Sequence, residues 1–505
     1  MLNTLLSRDT TPKRGARIAP HANMLRRKCA VAGLCTAVLG GCADVSMQPY
    51  QRPEAPMKAA WTERQEAAVS PTTTVTLDWW KEFRDPYLDS LVARAIQNNV
   101  DMRILAARIR VASSQIGEVR AGALPTLDAG AGASFEKSTG RKFSKDFNLG
   151  TQVNWEIDVW GKVDKGVQAQ TAQYRASEAD WRAGYLNLVA GVATTYFQIL
   201  QLDQQIDQQK RTLAKSRDIL TTYEAMHRSG LLPNTRVLQQ RAEINRLSND
   251  ALELARGREL AGNALATLLG VPAGEFRVPV GFLQEKVQLP PVPAGLPAEL
   301  LKRRPDVVAA EFRVLEGYNM VGQAKLAQLP SISLTGRGGT SSFALSDLLK
   351  SFTFGILPSI NIPIFDPSVK ARIKTTEAQT KVVEEEYRRT VIGALEEVEN
   401  ALVNLDAHKK QRVELQQQID NLQVVAAQIR AQVKEGVVSQ LEVFETERSL
   451  LGAQLALLAN HQQILSDTVT LYKALGGGWP PVDVAAAGTA SGTSGLAEAA
   501  NQNEK

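Results

Sequence analysis

The sequence has few of the residues from which catalytic and metal sites are usually built. Its 505 residues include four histidines and three cysteines. The histidines are widely scattered, and no metal-ligand spacing, nucleophile elbow or phosphate-binding loop occurs. The acidic run Glu396-Glu397 with Glu399 is typical of a solvated helix face rather than of an acid–base pair. The sequence therefore predicts no enzyme, no cofactor and no metal site.

Cysteine is also too scarce to staple the fold. Cys29 and Cys35 lie in a segment with the composition of a signal peptide, which leaves Cys42 as the single remaining thiol. Disulfides are common in exported chains, because those chains meet an oxidising environment. A single thiol cannot form a disulfide within its own chain. We therefore expect packing and oligomerisation, rather than disulfides, to stabilise this protein.

Neither a basic surface nor an apolar helix long enough to cross a membrane is evident. The formal net charge is +5, but seven basic residues and one acidic residue precede Cys42, so the rest of the chain carries −1. A nucleic-acid partner is therefore not expected. The mostly apolar segment 29–41 has thirteen residues, whereas a membrane helix needs about 20.

The N-terminal segment has instead the order of a bacterial lipoprotein signal. Arg26-Arg27-Lys28 precede the apolar segment, as in a signal peptide. That segment ends in Leu39-Gly40-Gly41-Cys42, which resembles a lipobox, where the thiol receives a diacylglyceryl group. We expect residues 1–41 to be a leader and Cys42 to be lipidated; the alternatives are an ordinary buried cysteine or a leftover thiol.

The most informative pattern is an internal repeat about 205 residues apart. Its landmarks recur as follows: Pro125 as Pro330, Trp155 as Ile360, Gly230 as Gly436, and Gly270 as Gly476. Solenoid repeats are about 20–50 residues long, so this period indicates a duplicated fold instead. We expect a first repeat at 77–270 and a second at 299–479.

The segments outside the repeats have the composition of connectors. A Pro-, Thr- and Ala-rich tether is expected at 42–76, and a Pro-rich linker at 271–298. The Ala-, Gly- and Ser-rich tail at 480–505 has too little apolar surface to fold, so we expect it to be disordered.

Each repeat contains two strands with one apolar and one polar face. Apolar residues alternate with polar ones in four segments: 126–136, 152–159, 331–335 and 352–364. Such a pattern fits the wall of a membrane β-barrel or a soluble sheet that covers a core. The aromatic residues near the strand ends favour the membrane: Phe135, Trp155, Trp160, Phe352, Phe354 and Phe365. The hairpin loops are expected at 137–147 and 341–351.

Long helical stretches follow each hairpin. They are predicted at 165–226, 232–269, 369–435 and 437–475. A stretch of roughly 60 residues is about 90 Å long, and its glutamine-rich surface indicates that much of it stays hydrated. Four strands cannot close a barrel in lipid, so closure requires other copies, and three copies supply twelve strands.

Several motifs together resemble the TolC/NodT outer-membrane factors. They are the lipobox, Trp79-Trp80, Trp155-Glu156-Ile157-Asp158, Arg303-Arg304-Pro305-Asp306, Pro363-Ile364-Phe365, and Lys473-Ala474-Leu475-Gly476-Gly477-Gly478-Trp479. The resemblance covers almost the whole chain after Cys42. One departure is Asp366-Pro367-Ser368, where the family usually has Gly-Gly-Arg.

This resemblance implies a fold and a function. The fold is mainly α with a membrane sheet: a homotrimer with a twelve-stranded β-barrel that continues into a long α-helical periplasmic barrel. The function is the exit duct of an RND-type efflux pump, lipid-anchored in the outer membrane and extending into the periplasm. Its implied partners are a periplasmic adaptor, an inner-membrane pump and outer-membrane lipid.

The resemblance also places functional residues at the periplasmic helix turns. Related channels have paired acids just after the second turn, where this chain has Glu442 and Glu445. Their first-repeat counterparts are Arg236 and Gln239, so we expect these four residues to form a gate. The alternative is a pair of ordinary exposed glutamates. The adaptor is expected to contact Gly230, Leu231, Gly436 and Val437, although glycines there are also ordinary helix ends.

Two other functions fit parts of the pattern. A duct for type I protein secretion has the same architecture, but such ducts more often lack a lipobox. A periplasmic coiled-coil scaffold without a pore would not need the alternating strands.

Overall fold

The structure is a computed structural model that describes residues 50–56, 75–137, 139–140, 143–290 and 302–484. The predicted leader, the lipidation site at Cys42, and the tail beyond 484 lie outside these residues.

Seven helices of more than one turn and four strands make up the described residues. The helices are α1 (Pro86–Asn98), α2 (Val100–Ala121), α3 (Lys162–Arg228), α4 (Asn234–Leu268), α5 (Pro305–Leu326), α6 (Pro367–Lys434) and α7 (Gln440–Ala474). The strands are β1 (Thr126–Glu136), β2 (Ser144–Ile157), β3 (Ser331–Ser342) and β4 (Thr353–Asn361). Shorter helical turns lie at Trp79–Phe83, Leu283–Lys286 and Leu345–Asp347.

Side-chain caps define the first two helices. Asp85 accepts hydrogen bonds from the backbone N–H groups of Tyr87 and Leu88 at 2.8 and 3.4 Å, and Pro86 follows it as the first helical residue. Asn99 ends α1 and caps α2 through the N–H of Met102 at 3.0 Å. Asn99 therefore separates α1 from α2.

The long helices all end in the same way. In each, a glycine with positive φ follows the helix, and the next N–H group bonds back to a carbonyl of the last turn. The glycines are Gly230 (φ 72°), Gly270 (φ 67°), Gly436 (φ 75°) and Gly476 (φ 89°). The four predicted long helices are confirmed, and α3 and α6, with 67 and 68 residues, are about 100 Å long.

The four strands form one antiparallel sheet in the order β1-β2-β3-β4. Each repeat contributes a hairpin, and β2 pairs with β3 from Phe147–Ser342 to Ile157–Ile332. Strands β1 and β4 are therefore the edges of the sheet, and one long side of each has no partner strand among the described residues.

The strand ends differ from the prediction. Strand β2 begins at Ser144, so the first loop is shorter than the predicted 137–147, and β4 ends at Asn361 rather than near 364. The chain leaves β2 early because Asp158 Oδ2 accepts the N–H groups of Val163 and Asp164 at 2.9 and 3.1 Å and so caps α3. Trp160 and Phe365, which were expected near strand ends, lie three and four residues beyond them.

The helices pack in equivalent ways in the two repeats. In the first repeat α3 packs against α2 and α4, and in the second α6 packs against α5 and α7. Helix α3 additionally packs against α5 and α7, which joins the repeats. The main core lies around α1 and α3, where Trp79, Phe83 and Phe197 are fully buried.

The connectors are more tightly packed than their composition suggests. Between the repeats, Val278, Leu283 and Val287 are buried, and Arg258 donates to the Val278 carbonyl at 2.6 Å. Near the C-terminus, Val484 is buried against α3 and α5.

The N-terminal segment 50–56 is anchored on α5. Glu311, which is completely buried, accepts hydrogen bonds from Tyr50 Oη at 3.1 Å and from Arg52 Nε at 2.7 Å. Burial raises the pKa of the Glu311 carboxyl, while Arg52 and Tyr50 partly oppose this. This part of the predicted tether is thus held against the second repeat.

Candidate gate at the helix tips and candidate membrane sheet

The two hairpin tips have the same backbone structure. The N–H of Leu231 bonds to the carbonyl of Met226 at 2.9 Å, and the N–H of Val437 bonds to that of Gln432 at 3.0 Å. Each tip presents an apolar side chain to solvent, since Leu231 is 73% and Val437 69% exposed. The predicted contact residues of both repeats therefore lie at equivalent, accessible places.

The predicted gate residues begin the two helices that follow these tips. Arg236 donates to Gln239 Oε1 at 3.3 Å, so these residues share one face of α4. Glu442 and Glu445 are exposed and, with the same spacing, share one face of α7. Among the described residues, Arg236 forms no ion pair with either glutamate in the same chain.

An aromatic contact joins the two hairpins. The rings of Tyr223 on α3 and Phe444 on α7 meet edge to face, with centroids 6.2 Å apart. Burial raises the pKa of Tyr223, and the nearby charge of Arg236 opposes this. Because Phe444 lies between Glu442 and Glu445, this contact positions the acidic face relative to Arg236. Sequence reasoning missed it, although both aromatics are isolated in largely polar helices.

Two equivalent ion pairs fasten the hairpins. Glu224 pairs with Arg241 at 2.8 Å across α3 and α4, and Arg430 pairs with Glu447 at 2.6 Å across α6 and α7. These positions correspond in the two repeats, but the charges are exchanged. Each pair is exposed and so contributes less than about 1 kcal/mol to stability. The repeat, together with the charge at each position, could have predicted both pairs.

The sheet has two unlike faces. No element of the part of the chain that the structure describes covers its apolar face: Phe354 is 90% exposed, and Leu127, Ile356 and Ile360 are also exposed. The opposite face is polar and lines a shallow concavity that includes Asp128, Gln152 and Arg337. The sheet therefore curves with its polar side inward.

Two features are absent from the residues that the structure describes. No helix in these ranges is sufficiently long and apolar to serve as a membrane span. No group of three or more histidine, cysteine, aspartate or glutamate side chains there is arranged to hold a metal ion.

Comparisons with known proteins agree with this arrangement. The family model described as "Outer membrane efflux protein" matches residues 91–271 and 296–477. The chain is 29% identical to the probable outer membrane lipoprotein SilC of Salmonella typhimurium, over 88% of this chain and 97% of SilC. It is 30% identical to the toluene efflux pump outer membrane protein TtgI of Pseudomonas putida, over 88% and 96%.

A solved structure has the same fold. The open state of the MtrE outer membrane channel of Neisseria gonorrhoeae superposes with a TM-score of 0.77 and 30% identity, covering 86% of this chain and 98% of MtrE. The family match and the structural match both span the two repeats, including the sheet and the long helices.

Proposed function

Because this chain belongs to the outer membrane efflux protein family, we propose that three copies of it close into the exit channel of a tripartite efflux pump. The predicted fold class and outer-membrane location are confirmed by the family and by the likeness to a solved channel. The channel carries solutes passively, so its functional residues are those that close the trimer, form the gate and contact the adaptor. The proposal includes the two partners of the channel, which are a periplasmic adaptor and an inner-membrane pump of the RND type.

The main support for the proposal is a contact between the two repeats that occurs once within the chain and should occur a second time between neighbouring copies. Helix α3 packs against α5 and α7, and the repeat makes α6 the counterpart of α3. The corresponding partners of α6 are α2 and α4, from a neighbouring copy. All three helices have exposed apolar side chains: Val100, Ile104 and Val111 on α2, Leu238, Leu252 and Leu260 on α4, and Val382, Ile392, Val403, Val413 and Val424 on α6.

Charge supports the same pairing of helices. Within the chain, Arg313 of α5 donates to Asp180 of α3. In α3 and α6 the repeat distance is 206, as in the ion pairs of the two hairpins, and in α2 and α5 it is 205. Moving the two residues by these distances gives Arg108 of α2 and Glu386 of α6, which have the same two charges. Both are exposed in the single chain. Arg108 of one copy is therefore placed to face Glu386 of the next.

The sheet, like the helices, needs neighbouring copies of the chain to complete it. In lipid, the unpaired N–H and C=O groups of β1 and β4 would each cost several kcal/mol. Pairing β4 with β1 of the next copy satisfies these groups and yields twelve strands. The apolar face then contacts lipid and the polar face lines the channel.

The helix tips carry the gate and the docking surface in this proposal. Three copies bring six carboxylates, from Glu442 and Glu445, around one axis, where they favour cations and repel anions. Arg236 of a neighbouring hairpin neutralises part of this charge in a closed state. The exposed Leu231 and Val437, beside Gly230 and Gly436, form the adaptor contact. Lipidation at Cys42 fixes the channel to the membrane.

The gate predicts a specific change in conductance. Replacing Arg236 and Glu442 together by alanine removes both charges of the proposed closing pair, so single-channel conductance in a planar bilayer should rise severalfold. The matched control is Glu224→Ala with Arg241→Ala, which removes an ion pair of the same kind within one hairpin. Unchanged conductance in the first variant, or an equal rise in the control, contradicts the assignment of the gate.

A further inference from the structure

The polar face of the sheet has one basic residue. Its charged residues are Asp128, Glu136, Asp146, Glu156 and Arg337. The acids Glu136, Asp146 and Glu156 lie toward the ends of their strands, and Glu156 is paired with Lys162 at 2.6 Å. Arg337 lies near the middle of β3.

The surroundings of Arg337 leave its side chain free to project. In register it lies between Gln152 of β2 and Gly355 of β4, and Gly339 follows it on the same face of β3. Arg337 is exposed, and within the part of the chain that the structure describes it has no ion-pair partner. Asp128 lies in the same row two strands away, at about 9.6 Å, with Gln152 between them, and no ion pair joins it to Arg337 among the described residues.

The proposed trimer brings three such residues to one level. Twelve strands about 4.8 Å apart and tilted by about 40° close at a backbone radius of about 12 Å. An extended arginine side chain spans about 6 Å, so its guanidinium group reaches halfway to the axis. Three-fold symmetry then places the three groups about 10 Å from one another, each beside Gly339 and Gly355 of its own chain.

We propose that Arg337 forms a basic collar inside the membrane section of the channel and is a specificity-determining residue for solutes that carry carboxylate, phosphate or sulfate groups. An arginine guanidinium group is positively charged and donates two parallel hydrogen bonds to such anions. The collar rests on the proposed function, because a single chain has no lumen. The channel then has a positively charged ring in its membrane section and a negatively charged ring at the helix tips.

The test is the reversal potential of the full-length protein in planar bilayers under a potassium chloride gradient. Arg337→Gln should shift the permeability ratio of potassium to chloride about threefold to tenfold toward potassium, because three charges near the axis are removed. Arg337→Lys keeps the charge and should remain close to wild type. Each protein is also measured with Arg236→Ala and Glu442→Ala, so that a closed gate does not hide the effect.

A second variant separates charge from shape. Modification of Arg337→Cys in the bilayer with a sulfonatoethyl methanethiosulfonate reagent adds a negative charge and should move the permeability ratio toward potassium, relative to the unmodified variant. An aminoethyl reagent adds a positive charge and should move the ratio back toward the wild-type value. If Arg337→Gln and both modified forms conduct with the wild-type ratio, the collar is overturned while the channel stands. If trimers insert but conduct in neither background, the proposed function itself is overturned, and the collar with it.

Discussion

Replacing Gly270 by alanine should lower the unfolding temperature of the protein far more than the same change at Gly230. Both glycines end a long helix with nearly equal positive φ, 67° and 72°, which costs an alanine about 1–2 kcal/mol. At Gly270, however, an added Cβ would lie 2.4 Å from the carbonyl oxygen of Asn98, whereas nothing lies within 4 Å at Gly230. Because the obstacle is backbone, relieving it requires α1 to move, which should add about 1–3 kcal/mol.

The second repeat provides matched controls for this prediction. Gly436, like Gly230, has open space around it, and a Cβ on Gly476 would approach the Arg303 carbonyl to 3.1 Å. The expected order of destabilisation by alanine is therefore Gly230 and Gly436 least, Gly476 intermediate and Gly270 most. Thermal unfolding of each variant, followed by circular dichroism at one heating rate, measures this order. Equal losses at Gly230 and Gly270 would show that helix α1 is not fixed against the end of α4.

Replacing Arg304 by alanine should be similarly damaging, by about 3 kcal/mol. This side chain is only 8% exposed and donates to Asp306 and Glu397 as well as to the carbonyl oxygens of Ala394 and Ala474. It thereby ties the start of α5 to α6 and to the end of α7. The loss stays below that of a fully buried ion pair because both acids are about half exposed and regain water.

The first repeat again provides the control. Its counterpart to Arg304 is Asn99, whose Nδ2 donates to the carbonyl of Leu268 at 3.0 Å, the position equivalent to Ala474. Arg304→Asn should therefore recover part of the stability lost in Arg304→Ala, while Asn99→Ala, which also removes the cap of α2, should cost about 2 kcal/mol. Denaturation of the detergent-solubilised protein compares the three variants. A loss at Arg304 no larger than that at Asn99 would mean that the contacts with Glu397 and Ala394 contribute nothing.

Features encoded by local sequence were predictable. Gly230 and Gly436 mark turns because a left-handed residue ends a helix there, and Asn98-Asn99 marks a break because Asn99 caps α2. The strict alternation in β1 likewise predicts a two-faced strand. The repeat extended these inferences from one half of the chain to the other.

Features that depend on distant contacts were not predictable. Tyr50 and Arg52 lie in a segment of connector-like composition, and their docking depends on Glu311, which is about 260 residues away. The end of β2 was misplaced because the side chain of Asp158 turns back to cap α3. In β3, glycines near Arg337 weaken the alternation, so the strand is longer than its pattern indicates.

Crosslinking between neighbouring copies tests the central claim, that α6 of one chain packs against α2 of the next. The double variant Arg108→Cys with Glu386→Cys, treated in native membranes with a thiol crosslinker about 8 Å long, should give covalent dimers and trimers on a denaturing gel. Each single variant should remain monomeric, as should Arg108→Cys with Glu396→Cys, where the second cysteine lies about 15 Å further along α6. The account predicts the ladder only in the first variant; its absence there, or an equal ladder in the control, would contradict closure through this interface.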